Sequence, residues 1–233
     1  MTRDVTVQVG GSAMAITVAE PAGAGPHPGM VVIHHREGID EFTRAVCERL
    51  AKNGFTAAAP NLFHHRPAGE DTRESRRSLN DGQVVADIDA TIAWLQGQKS
   101  VRGDRIGIIG HCMGGRMSYL GAASNAAIKA CVVLYGGGIL RAEGEGRKPP
   151  IELSGNIKCA VAGFFGRDDT NPSPADVARI SDELKKHKIR HDFRFYEATG
   201  HAFQNFSSKE SYREQSSEDA WSRLVPFLQT ELK

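Results

Sequence analysis

The sequence predicts an α/β fold, with a mostly parallel central sheet and helices on both of its faces. Three observations carry that prediction. Short apolar runs rich in Val, Ile and Ala alternate with longer amphipathic segments, the pattern of strands joined by crossover helices. The segment Gly110-His-Cys-Met-Gly114 stands directly between one such run and one such helix. At 233 residues, 40% hydrophobic and 24% charged, the chain is long and apolar enough to bury the core this fold needs.

The elements follow in order. Val5 to Val9 and Met14 to Val18 flank Gly10-Gly11 and read as an opening β-hairpin. Met30 to His34 is a short apolar run, hence a buried strand. Asp40 to Asn53 is an amphipathic helix with Asp40 as N-cap and Gly54 as stop. Phe55 to Ala59 is a strand ended by Pro60. Residues 64–78 are polar and basic and read as a loop. Val84, Val85, Ile88, Ile92 and Leu95 give residues 79–98 a helical period. Arg105 to Ile109 is a strand, and a helix begins at Gly114. Lys129 to Tyr135 is the next strand, followed by a Gly- and charge-rich loop through Gly155. Ile157 to Phe165 is a strand. Pro174 to Lys188 is a helix with Pro in its first turn, where the missing amide costs nothing. His191 to Glu197 is the last strand and Ser216 to Leu232 the last helix, kinked at Pro226. With no repeat, low-complexity tract or composition break, residues 1–233 read as one domain.

Charge excludes some functions. Lys plus Arg number 29 against 28 Asp plus Glu, so a net charge of +1 offers no global field for nucleic acid. The first residues alternate polar and apolar, unlike a signal peptide, and no run approaches the roughly 18 apolar residues of a membrane span. A soluble, cytoplasmic chain without a membrane partner is expected, as a monomer or weak homodimer. The four cysteines, Cys47, Cys112, Cys131 and Cys159, are widely spaced, which predicts neither a zinc knuckle nor a disulfide framework.

Only Cys112 has unusual neighbours. Gly-x-nucleophile-x-Gly between strand and helix is the spacing of a nucleophile turn. Such a turn leaves no room for a Cβ two residues before or after the nucleophile, and Gly110 and Gly114 meet that demand. The free amides of the following helix favour negative charge and lower a thiol pKa. The Met113 amide is the expected donor to an oxyanion. A thiol nucleophile needs a base, and His201, at a Gly turn after the last strand, is the candidate. The orienting acid is expected after the strand ending at Phe165, where Asp168 and Asp169 both stand. The Gly-x-x-Asp spacing from Gly166 favours Asp169.

With these residues in hand, the chain resembles the dienelactone hydrolase family over nearly its whole length. The matching segments are Gly110-His-Cys-Met-Gly-Gly115, Ala59-Pro-Asn-Leu-Phe63, Asn171-Pro-Ser-Pro174 and Tyr196-Glu-Ala-Thr-Gly-His-Ala-Phe203. The resemblance implies an α/β-hydrolase fold, a Cys112-His201-Asp169 triad, no cofactor and hydrolysis of small lactones or esters. It also implies a second oxyanion donor, the backbone amide of Arg36. Two positions depart from the family. Its thiol-contacting Glu after the third strand aligns with His35, with Glu37 two residues later, so either of the two is a candidate for that contact. The family's substrate-binding Arg four residues after the His is Asn205 here. Arg73, Arg76 and Arg77 are candidates to replace it, Arg76 among them as a substrate contact. A general carboxylesterase or thioesterase, or a silent binding domain on the same scaffold, are the rival readings.

No metal is expected. His34-His35 and His64-His65 are doublets, but neighbours in a strand such as His34 and His35 face opposite ways, and no His-x-x-x-His or carboxylate pair completes a site. Gly136-Gly-Gly138 lacks phosphate-loop spacing and reads as a flexible strand exit.

Overall fold

The computed structural model describes every residue except 68 and 145, and every side chain but theirs and that of Arg73. Eight strands form one sheet: β1 (Arg3–Val9), β2 (Ser12–Ala19), β3 (His27–Ile33), β4 (Thr56–Pro60), β5 (Val101–His111), β6 (Ile128–Leu134), β7 (Ala160–Gly166) and β8 (His191–Tyr196). Their spatial order is β1-β2-β4-β3-β5-β6-β7-β8. β1 and β2 pair antiparallel, β2 joins β4 antiparallel, and every pair from β4 to β8 is parallel.

The central strands are apolar on both sides because helices cover both faces. Along β3 the side chains alternate. Val31 and Ile33 pack with α3 (Asp81–Gln96), α4 (Met113–Ser124) and α5 (Pro174–Lys186), whereas Met30 and Val32 pack with α1 (Glu41–Lys52) and α6 (Glu214–Glu231). Cys131 and Val133 against Ala130 and Val132 repeat the alternation on β6. The sheet thereby offers its carboxyl edge, where β3, β5, β6, β7 and β8 all end, to the loops that follow them. In an open parallel sheet this is the edge where ligands bind.

The helix ends obey local rules. Asp40 caps α1 by accepting from the Thr43 amide at 2.9 Å, Asn80 caps α3 through Gln83, and Ser173 with Asp176 forms a capping box on α5.

Two expectations need correction. The 64–78 segment is not all loop, because Thr72–Ser78 forms the short helix α2. The connection through Gly155 ends in a 3₁₀ helix over Pro150–Asn156. The last helix, Glu214–Glu231, carries Pro226 within it. No helix among the described residues is long and apolar enough to cross a membrane.

Candidate active site

β5 ends at His111 and α4 begins at Met113, so the reversal between them is a single residue, Cys112. Its backbone has φ +54° and ψ −119°. An L-residue in that region costs on the order of 1–3 kcal/mol and persists only when its surroundings hold it. The Cys112 amide donates to Leu134 O at 3.0 Å, and its carbonyl accepts from Gly115 N at 3.0 Å. Glycines make the turn sterically possible. A Cβ on Gly110 would collide with the Gly114 carbonyl, one on Gly114 with the Ile33 carbonyl, and one on Gly115 would come within 2.7 Å of Gly136 Cα. The Gly136 run is therefore a packing device as well as a strand exit.

Three candidates from distant parts of the chain meet here. His201 Nδ1 lies 2.8 Å from Asp169 Oδ2, and the same imidazole shares a hydrogen bond with the Cys112 thiol. Asp169 is buried, and its Oδ1 accepts from Asn171 N at 2.8 Å, which fixes the carboxylate from the other side. Asp168 is exposed and is not among the residues that line the cavity over Cys112. Close approach of the two loops needs Gly166, where a side chain would strike the Thr199 carbonyl.

The electrostatics favour an ion pair. Burial pushes the Cys112 thiol up, but the His201 hydrogen bond and charge, the Met113 amide and the His35 charge together hold it below the ordinary thiol value. Burial pulls His201 down, but hydrogen bonds and charge from Asp169 and Cys112 raise it to about 10. Cys47 and Cys159 are pushed up to about 12 by burial.

His35 and Glu37 resolve differently from both expectations. Neither bonds to the sulfur. His35 Nδ1 lies 2.8 Å from Glu37 Oε2 and His35 Nε2 lies 2.7 Å from Asp40 Oδ2. Glu37 Oε1 in turn accepts from Arg36 Nε at 2.6 Å. Burial opposes charge on His35, but the two carboxylates outweigh it and raise its pKa to about 9. His35 thus acts on the thiol as a fixed positive charge and not through a hydrogen bond. His34 is structural. It is buried, its Nδ1 donates to His35 O at 2.6 Å and its Nε2 accepts from Leu62 N at 3.1 Å.

A cavity of about 430 Å³ opens above Cys112, within the size range of small-molecule sites. His35, Arg36, Glu37, Arg76, Asn205 and Tyr135 are among the residues that line it. Of the three arginines in the 64–78 segment, Arg76 reaches the cavity, Arg77 pairs with Glu74, and the Arg73 side chain lies outside the described residues. Two residues escaped the sequence reading. Tyr135, at φ +40°, sets its ring 5.2 Å from that of His201, and Asn171 holds Asp169. Their signal was position alone, since each follows the end of a strand next to a candidate. Outside this cavity, Asp87 stands against the His64-His65 doublet.

The profile of the dienelactone hydrolase family matches residues 14–232. The chain belongs to that family. It is accordingly a carboxylic ester hydrolase acting on a small molecule. Among its family relatives, a protein of Synechocystis sp. provisionally named a carboxymethylenebutenolidase is 32% identical over 226 residues, covering 93% of this chain and 91% of that one. A protein of Methylorubrum extorquens with the same provisional name is 33% identical over 217 residues, covering 90% and 74%. The crystal structure of a provisionally named dienelactone hydrolase from Klebsiella pneumoniae superposes with a TM-score of 0.89 at 28% identity, covering 98% of each chain.

Proposed function

We propose that this dienelactone hydrolase family member cleaves a small lactone or carboxylic ester through a thioester on Cys112. The observation that carries the reading is the continuous thiol–imidazole–carboxylate chain of Cys112, His201 and Asp169 on the floor of the cavity. In the resting enzyme the proton resides on His201, and Asp169 orients the ring and balances its charge. The Cys112 sulfur adds to the substrate carbonyl, forming a C–S bond while the carbonyl π electrons move onto oxygen. The Met113 and Arg36 amides receive that oxyanion. Collapse breaks the C–O bond, and His201 gives its proton to the departing alkoxide. The neutral imidazole then takes a proton from water, whose oxygen attacks the thioester. The second collapse releases the acid and returns the thiolate and imidazolium.

Arg76 on the cavity wall, without an ion-pair partner among the described residues, supports an anionic substrate. All four cysteines are free thiols, and a thiol nucleophile needs reducing surroundings, which supports a cytoplasmic site of action.

Rapid mixing with a chromogenic ester is expected to give a burst of one product per enzyme, with an acyl group on Cys112 by mass spectrometry. Turnover undiminished in Cys112→Ala would overturn the proposal.

A further inference from the structure

The geometry points to a divalent transition-metal site, of the zinc class, built from His64, His65 and Asp87 and separate from the hydrolytic cavity. One ligand atom from each residue lies within 4.8 Å of the others. A tetrahedral zinc site with bonds of about 2.0–2.2 Å sets its ligand atoms roughly 3.3–3.5 Å apart, so closure needs a shift of about 1.5 Å or less. His65 is exposed and free to supply it by turning its ring.

The strongest sign lies in what the cluster leaves unmet. Asp87, on α3, is 0% exposed. Its Oδ1 meets His64 Nε2 at 2.9 Å, but Oδ2 has no hydrogen-bond partner among the described residues, and neither has the buried Nδ1 of His64. The amide of Gln83, one turn earlier, donates to the Leu62 carbonyl at 3.3 Å and also lies close enough to favour the charged form of Asp87, without meeting Oδ2. A buried carboxylate with an idle oxygen is costly, and a cation is what it lacks. The two imidazole rings lie with centroids 3.7 Å apart, closer than two ligands of one tetrahedral ion, so closure swings the exposed His65 ring away from His64 while its nitrogen turns to the ion. Adjacent histidines converge here because residues 62–65 form turns, where the face-to-face alternation of a strand does not apply.

Two imidazole nitrogens and one carboxylate oxygen select a borderline first-row ion over Mg²⁺ or Ca²⁺, which prefer all-oxygen sites. None of the three residues lines the cavity over Cys112. The ion would clip the segment after β4 onto α3, and that same segment leads into α2 and Arg76. Its role is to fix a wall of the site, not to react.

The test uses the full chain carrying Cys112→Ser, so that no reactive thiol competes for the probe. Co²⁺ is titrated by visible absorption and Zn²⁺ by calorimetry, with the thermal midpoint followed in parallel. The expected result is one equivalent bound, a higher midpoint, and no displacement by Mg²⁺. His65→Gln, an exposed change that leaves the fold intact, is expected to weaken binding by at least about tenfold, and Asp87→Asn by more. Absence of binding, displacement by Mg²⁺, or affinity unchanged in His65→Gln would overturn the site. If Asp87→Asn does not fold, His65→Gln alone decides.

Discussion

Asp40 serves His35 with one carboxylate oxygen and helix α1 with the other. Oδ2 lies 2.7 Å from His35 Nε2, while Oδ1 accepts the Thr43 amide at 2.9 Å. The cap that starts the first helix therefore also holds a positive charge beside the thiol.

That relationship predicts the behaviour of the sulfur. Removing the charge by His35→Gln is expected to raise the apparent Cys112 pKa, since the imidazolium lowers it. Glu37→Gln is expected to do less, because Asp40 remains to keep His35 charged. Ultraviolet thiolate absorbance against pH, corrected with Cys112→Ala, reads both. An unchanged pKa in His35→Gln would remove His35 from any influence on the thiol.

Stability should depend on pH through the same cluster, with a sign that can be worked out. His35 is raised from about 6.5 to about 9 on folding, so its contribution is complete below pH 6.5 and is lost as pH rises through 9. Glu37 is lowered from 4.5 to about 2 (the hydrogen bonds from His35 and Arg36 outweighing its burial), so its part is present above pH 4.5 and is lost as pH falls through 2. Urea midpoints of wild type and His35→Gln should differ most between pH 4.5 and 6.5 and converge above pH 9. A difference that grows with alkalinity would reverse the assignment.

Thiol reactivity separates the four cysteines. Iodoacetamide at neutral pH is expected to label Cys112 at least about a hundredfold faster than Cys47, Cys131 or Cys159, whose thiols burial pushes up. Peptide mapping over time checks the order, and activity should disappear with Cys112 labelling alone. Full inactivation with Cys112 unlabelled would refute its role.

The two neighbouring acids offer a paired test. Asp169→Asn should lower kcat by about 10³–10⁴ with the fold intact, because the ring loses its orienting carboxylate. Asp168→Asn, at an exposed position, should leave stability within about 0.5 kcal/mol and activity nearly unchanged. Equal losses in both would undo the distinction.

Much of this was legible in the chain itself. The buried strands announce themselves as apolar runs, and Gly110, Cys112 and Gly114 mark their turn because only glycine fits there. Asp169 could be preferred over Asp168 from its distance to Gly166. Helix α2 was hidden because Thr72 to Ser78 is polar throughout, with no apolar stripe to set a period; tertiary contacts, with Ser75 buried and bonded to Glu70, hold it instead. The fate of His35 was hidden for another reason. Its partners, Glu37 and Asp40, lie two and five residues on, and the tight turn that closes with Gly38 N on His35 O, followed by the positive φ of Gly38, brings both to one ring. Asp87 reads as a polar position of an amphipathic helix, and nothing local ties it to His64, 23 residues earlier.

The glycine contacts under Cys112 bear on how this scaffold can be re-engineered. Gly110 against Gly114, and Gly115 against Gly136, are backbone meeting backbone, with no side chain between them. The sulfur is therefore located by main-chain geometry that repacking the hydrophobic layers does not reach. The cavity wall at Arg76, Asn205, Ser208 and Ser211 comes from other segments. A library confined to those four positions would vary what the cavity accepts while the sulfur stays where it is. One methyl group at Gly110 or Gly114 would do the reverse, sparing the cavity wall and destroying the turn beneath it.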